Sequence, residues 1–328
     1  MTASAQTASS LTASSLTASS VTALPLTALS IEDVTVRIPL ADGSLVHAAS
    51  EVSLAVEAGT VTALVGESGC GKSILASAVM AMLPAGAQVS GSVTVRAGGR
   101  TVDVFTDRGF RGHDVALIPQ SASSHLTPVR TARSQLDETA RVLRSRRRPD
   151  ELARIVGLDP VDLDCYPHQL SGGMAQRVAI AAALVGSPAV IVADEPTANL
   201  DRELTDRILE LLRRSAQAGA AVLLITHDLS SLMRTAVADR IAVMYASRIM
   251  ETGPAASVLD DPLHDYTRDL LNALPSRGLN PIPGTPPELT DLPDECVYHR
   301  RRPGSLQSGG PTELVTVGER SYRTRKRA

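Results

Sequence analysis

Val61-Thr-Ala-Leu-Val65 is a short, mostly apolar run that leads directly into Gly66-Glu-Ser-Gly-Cys-Gly-Lys-Ser73. No other segment restricts the possible folds so strongly. The apolar run reads as a strand buried on both faces. The glycines permit a tight turn, and the stretch from Lys72 to Leu83 reads as a helix stopped by Pro84. A strand that must be covered on both faces and turns straight into a helix belongs in a parallel sheet with crossover helices. The chain downstream repeats the alternation: strands at 189–193, 221–225 and 240–244, helices at 201–214 and 229–238. Ahead of the turn, 31–38 and 52–56 alternate like half-buried strands, and Gly91 to Val104 reads as a small hairpin.

The turn also carries chemistry, because it fits the phosphate-binding pattern GxxxxGK[ST]. Backbone N–H groups of Gly66, Glu67, Ser68, Gly69, Cys70 and Gly71 can point inward at phosphates, and the following helix start adds a favourable dipole. Lys72 is placed to reach β- and γ-phosphates and Ser73 to ligate Mg²⁺. Lys72 and Lys326 are the only lysines in a chain that otherwise uses arginine, so the ammonium itself is singled out. Cys70 sits inside the turn as a spacer and suggests thiol alkylation as a probe of nucleotide binding.

Two further segments add to this. Val190-Ile-Val-Ala-Asp194-Glu195 is an apolar strand ending in two carboxylates, with Asp194 suited to Mg²⁺ and Glu195 to polarising a water as general base. Leu170-Ser-Gly-Gly-Met-Ala-Gln-Arg177 opens an apolar helix with two glycines after a serine, a second anion-binding helix start. One nucleotide site has no use for two such starts about 100 residues apart in sequence.

These motifs resemble those of ATP-binding-cassette (ABC) ATPases over about residues 31–253. The resemblance implies an α/β P-loop NTPase fold. Its parts are a RecA-like core with a parallel sheet, an N-terminal antiparallel β subdomain and an inserted α-helical subdomain at about 121–178, with a small C-terminal appendage. It makes Ser171, Gly172 and Gly173 the signature that closes over the ATP of a facing subunit. Gln120, after Val115-Ala-Leu-Ile118, resembles the Q-loop glutamine that touches Mg²⁺ and the water. Asp201 of Ala198-Asn-Leu-Asp201 resembles the D-loop, and His227 the switch histidine that meets the γ-phosphate. The implied reaction is hydrolysis of ATP to ADP and phosphate.

About fifty residues separate Gln120 from Ser171, too few for the coiled-coil ABC proteins of DNA repair. A net charge of -3 gives no argument for nucleic acid as a partner either. Leu83-Pro-Ala-Gly-Ala-Gln-Val-Ser-Gly-Ser92, Pro262-Leu-His-Asp-Tyr-Thr-Arg-Asp-Leu-Leu271 and Ile282-Pro-Gly-Thr-Pro-Pro-Glu-Leu289 resemble the ATPase subunits of oligopeptide, dipeptide and nickel importers. That implies a second ABC ATPase subunit, two integral membrane permeases, a solute-binding protein outside, and a place on the cytoplasmic face of the membrane. A non-transport ABC ATPase and an exporter subunit are the alternatives. A P-loop small-molecule kinase is a third, against which the signature turn and His227 weigh.

The chain departs from the family in three places, one being Ser121-Ala-Ser-Ser-His-Leu-Thr-Pro128, which lacks the usual acidic or amide-rich residues after Gln120. No Phe, Tyr or Trp precedes Phe105, so Ile38, its neighbours or His47 must pack the adenine, and weaker ATP affinity or looser base selectivity is expected. Cys296 stands alone in the tail, with Arg302 where the family often has its next cysteine. Four thiolates usually hold a cluster, so no iron–sulfur cluster is expected. The expected boundaries are a disordered low-complexity tail at 1–29, an ATPase domain at 30–274 and the appendage at 275–328. The basic group Arg141, Arg144, Arg146, Arg147 and Arg148 reads as a solvated helix end.

Overall fold

The computed structural model describes residues 26–302 and 310–326. Most of the expected tail, residues 1–25, lies outside the described residues. The first strand, β1 (Thr27–Pro39), nevertheless begins ahead of the expected boundary at residue 30, because Ala28 and Leu29 are buried. It pairs antiparallel with β2 (Leu45–Glu57), which is longer than the segment 52–56 read from sequence.

The central unit forms as anticipated. β3 (Val61–Val65) is buried at all five positions, and α1 (Lys72–Val79) follows the glycine turn. The helix stops short of Leu83. Ala81 is left-handed at φ 48°, and the Arg111 guanidinium donates to the carbonyls of Met80 and Ala81 at 2.6 and 2.7 Å. Those are the carbonyls a helix end leaves unpaired. β4 (Gln88–Ala97) and β5 (Arg100–Asp103) form the expected hairpin, and a four-stranded antiparallel sheet runs β2-β1-β4-β5.

β6 (Val115–Ile118) leads into short α2 (Ala122–His125), α3 (Ala132–Val142), α4 (Pro149–Ile155) and α5 (Gly172–Leu184). Arg141, Arg144, Arg146 and Arg148, at the end of α3 and in its link to α4, are exposed. Next come β7 (Val190–Asp194), α6 (Arg202–Gln217), β8 (Ala221–Thr226), α7 (Leu229–Thr235) and β9 (Arg240–Tyr245). α7 ends earlier than residue 238 because Ala236 turns left-handed at φ 48°. α6 buries Ile208, Leu209, Leu211, Leu212 and Ala216 along one stripe, the spacing of an amphipathic helix against a sheet.

Five strands, β9-β3-β8-β7-β6, run parallel, in register from Val65↔Thr226 to Asp194↔Ile225 and Ile118↔Ala193. Alternate residues face opposite layers. Val222 and Leu224 of β8 join the core under α5 and α6. Ala221, Leu223 and Ile225 join the core shared with α1 and the small sheet.

The sheet does not end at β9. β10 (Arg248–Pro254) adds antiparallel, followed in the chain by α8 (Ala255–Asp260), α9 (Asp265–Asn272) and α10 (Tyr298–Arg301). The hairpin β11 (Thr312–Val317) and β12 (Arg320–Arg325) then extends it to eight strands. Cys296, Val297 and Tyr298 are buried in the main core. The described residues beyond 274 thus contribute to the same core and sheet.

Candidate functional site

Parallel strands end on one edge of a sheet, and here that edge collects the chemistry. β3, β6, β7 and β8 deliver the Gly66–Ser73 turn, Gln120, Asp194 with Glu195, and His227 to neighbouring positions.

The turn is shaped by close approach. Gly66 has φ 156°, and a Cβ there would lie 2.1 Å from the Met244 carbonyl oxygen. A Cβ on Gly71 (φ 108°) would lie 2.2 Å from the Ala48 carbonyl oxygen. Gly69 has φ 78° but faces open space, so only its backbone conformation calls for glycine. The Lys72 ammonium, buried, donates to the carbonyls of Gly66 and Glu67, each at 2.9 Å. Cys70 is 5 % exposed and burial pushes its thiol up, so the alkylation probe suggested by the sequence meets a shielded, protonated sulfur.

Ser73 Oγ donates to Asp194 Oδ1 at 3.2 Å. Burial pushes the Asp194 carboxyl up, against the opposing pull of the Ser73 hydrogen bond. A desolvated carboxylate, a hydroxyl and the nearby Gln120 amide make an all-oxygen donor set, which suits a hard divalent cation. Glu195 is held at both oxygens: Gln120 Nε2 donates to Oε2 at 3.1 Å, and His227 Nδ1 meets Oε1 at 3.0 Å. Its backbone is left-handed at φ 45°, and its N–H donates to Ile225 O of β8 at 2.8 Å. A hydrogen bond into the adjacent strand thus fixes a conformation that L-residues rarely adopt.

Ser171 and Gly172 stand exposed at the start of α5. Ser171 Oγ accepts from Met174 N–H at 3.2 Å, capping the helix. A Cβ on Gly173 would meet Leu204 Cδ2 at 2.2 Å, so this glycine lets α5 and α6 approach. Asp201 caps α6 by accepting from Leu204 N–H at 2.9 Å. Neither cap was read from the sequence, although a Ser or Asp before a helical run is the ordinary signal. Glu67 has neighbours that local sequence cannot reveal: its N–H donates to the Tyr266 hydroxyl at 3.1 Å, and its carboxylate meets Arg301 at 2.7 Å. Of the two expected adenine neighbours, Ile38 packs against the small-sheet core, and the His47 N–H donates to Leu289 O at 2.7 Å.

In the tail, Arg302 Nη1 donates to both oxygens of Asp269 at 2.9 Å. Cys296 Sγ lies 3.9 Å from His264 Nε2. Among the described residues no three His, Cys, Asp or Glu side chains converge as metal ligands would.

A glycine-turn lysine, a strand-end Asp-Glu pair and a histidine gathered on one edge of a parallel sheet define a P-loop ATPase. The ABC transporter family model matches residues 49–198, and that of the oligopeptide/dipeptide transporter C-terminal region matches 250–308. A dipeptide transport ATP-binding protein of Bacillus subtilis is 38% identical over 289 residues, 80% of this chain and 83% of the relative. An oligopeptide transport ATP-binding protein of Mycobacterium tuberculosis is 39% identical over 281 residues, 80% of this chain and 45% of the relative. The fold also matches a dimeric ATP-binding cassette bound to ADP and Pi, with TM-score 0.57 and 24% identity over 69% of this chain and 98% of that one. The chain belongs to the ABC transporter family, as an ATP-hydrolysing subunit. No helix among the described residues is long and apolar enough to cross a membrane.

Proposed function

We propose that this chain energises the import of peptides or a related small solute from the cytoplasmic face of the membrane, paired with a second ATPase and docked on two permease subunits. The observation that carries the reading is a site left incomplete within one chain. Lys72, Ser73, Gln120, Asp194, Glu195 and His227 share one edge of the sheet. Ser171 and Gly172 stand instead at the exposed start of α5, and the Ser171 side chain bonds only within its own helix start among the described residues. Two chains facing each other supply each other's missing half. The peptide-transport roles in the relatives' names and the matched C-terminal region support peptides as the solute.

In this reading the N–H groups of Gly66 to Ser73 hold the phosphates, and Lys72 exchanges its two carbonyl partners for phosphate oxygens. Ser73, Asp194 and Gln120 would hold Mg²⁺, which supplies charge neutralisation on the phosphates when bound. Glu195 takes the proton from the attacking water while Gln120 and His227 fix its carboxylate. The Ser171-Gly172-Gly173 turn of the facing subunit closes on the γ-phosphate, and Asp201 lies along that interface. Positioning and charge stabilisation do most of the catalysis.

Co-expression with candidate permease subunits tests the proposal. The chain should co-purify with them and release phosphate to water, faster when a peptide-loaded binding protein is added. Failure to co-purify with any membrane subunit, together with hydrolysis indifferent to the peptide-loaded binding protein, overturns the transport role.

A further inference from the structure

Arg301 lies 234 positions beyond Glu67, yet its guanidinium donates to both Glu67 carboxylate oxygens, at 2.7 and 3.3 Å. The same group donates to the carbonyls of Pro283 and Gly284 at 2.8 and 3.3 Å. It also lies over the rings of Tyr245 and Tyr298, 5.6 and 5.9 Å from their centroids. The Arg301 side chain is 6% exposed and that of Glu67 21%, so water does little to screen the pair. Glu67 is pinned on its backbone too, through the Tyr266 hydroxyl. The next two residues of the turn, Ser68 and Gly69, are exposed. Beside the turn, a cavity of about 220 Å³ is walled by Glu67 to Cys70 on one side and Pro286 to Leu289 on the other.

A carboxylate is an awkward residue in a turn that must accept a polyanion. It repels the triphosphate unless its charge is neutralised, and the turn's tip is free to drift unless something holds it. Arg301 does both. We propose that Arg301 is a positioning residue for ATP: through Glu67 it sets the tip of the phosphate-binding turn, which makes the C-terminal segment a working part of the nucleotide site. The proposal rests on Gly66–Ser73 being the ATP site. It assigns Arg301 no contact with the reacting atoms, so its effect falls on ATP affinity and KM while kcat at saturating ATP stays near the wild-type value.

The test measures the Kd of a fluorescent ATP analogue and steady-state hydrolysis for Arg301→Gln, Glu67→Gln, the double variant and Lys72→Ala. Contacting groups couple strongly enough that Arg301→Gln should weaken binding about tenfold, with little further loss when added to Glu67→Gln. An equal loss in both backgrounds overturns the proposal, as does unchanged affinity in Arg301→Gln while Lys72→Ala abolishes binding. Unchanged affinity in Lys72→Ala overturns instead the site assignment beneath it. Should Arg301→Gln fail to fold, Glu67→Gln decides the matter, because it leaves Arg301 its carbonyl and ring contacts. Removing a negative charge beside a triphosphate would by itself tighten binding. The tie predicts the opposite: weaker ATP binding and faster amide exchange over residues 66–70. Binding as tight as wild type, or tighter, overturns it.

Discussion

Glu195→Gln separates binding from chemistry at this site. The amide has nearly the shape of the carboxylate, so the oxygen facing Gln120 Nε2 at 3.1 Å can be kept as an acceptor. The other oxygen, 3.0 Å from His227 Nδ1, becomes an N–H₂ group. The His227 ring is 61% exposed and can move its proton to Nε2, offering Nδ1 as acceptor to the new donor. Fold, loop geometry and ATP affinity should therefore survive, while the group that receives the water's proton is gone. General-base removal typically costs 10²–10⁴ in rate, or about 3–5 kcal/mol of barrier. The assay is phosphate release at saturating ATP, with nucleotide affinity and ATP-dependent dimerisation followed in parallel. The expected variant binds ATP like the wild type, turns over at least about a hundredfold more slowly and accumulates the closed dimer. Turnover within a few-fold of wild type would refute the assignment of Glu195 as base.

The two kinds of glycine in the turn should respond differently. Gly66→Ala drives a methyl to 2.1 Å from the Met244 carbonyl and should cost about 3 kcal/mol in urea unfolding. Gly69→Ala meets only its φ of 78° and should cost about 1 kcal/mol; equal losses would sink the distinction. His264 is fully buried, and desolvation lowers its pKa from 6.5 to about 3. The unfolded chain then binds a proton that the folded chain refuses, so stability falls as pH drops from 6.5 towards 3. Between pH 6 and 5 the wild type should lose about 1 kcal/mol more than His264→Asn, and parallel pH profiles would contradict this.

The segments legible in sequence were those whose burial is written locally. β3, β7, β8 and β9 are apolar on both faces, and the turn between β3 and α1 carries its own chemistry, so strand, turn and site could be read together. What escaped was set at a distance. β11 and β12, Thr-Glu-Leu-Val-Thr-Val and Arg-Ser-Tyr-Arg-Thr-Arg, are too polar to announce themselves, and they exist because β10 offers an edge to pair with. The end of α1 depends on Arg111, some thirty residues further on. The ion pair of Glu67 depends on a residue near the far end of the chain. His227 was assigned to the γ-phosphate by resemblance, and the structure adds its hydrogen bond to Glu195, a contact between two strand ends that spacing cannot specify.

The aromatic cluster around Arg301 gives the molecule an optical property. The chain has no tryptophan and five tyrosines. Three of them form one group: the Tyr245 centroid lies 4.4 Å from that of Tyr266 and 5.3 Å from that of Tyr298, and Tyr266 and Tyr298 are 5.3 Å apart. Tyr266 is bonded through its hydroxyl to the backbone of the phosphate-binding turn. Near-ultraviolet circular dichroism is therefore weighted towards the place where the C-terminal segment meets the nucleotide loop. The protein carries its own label there, and a change in the tyrosine dichroism on adding nucleotide would report motion at that junction without an attached dye.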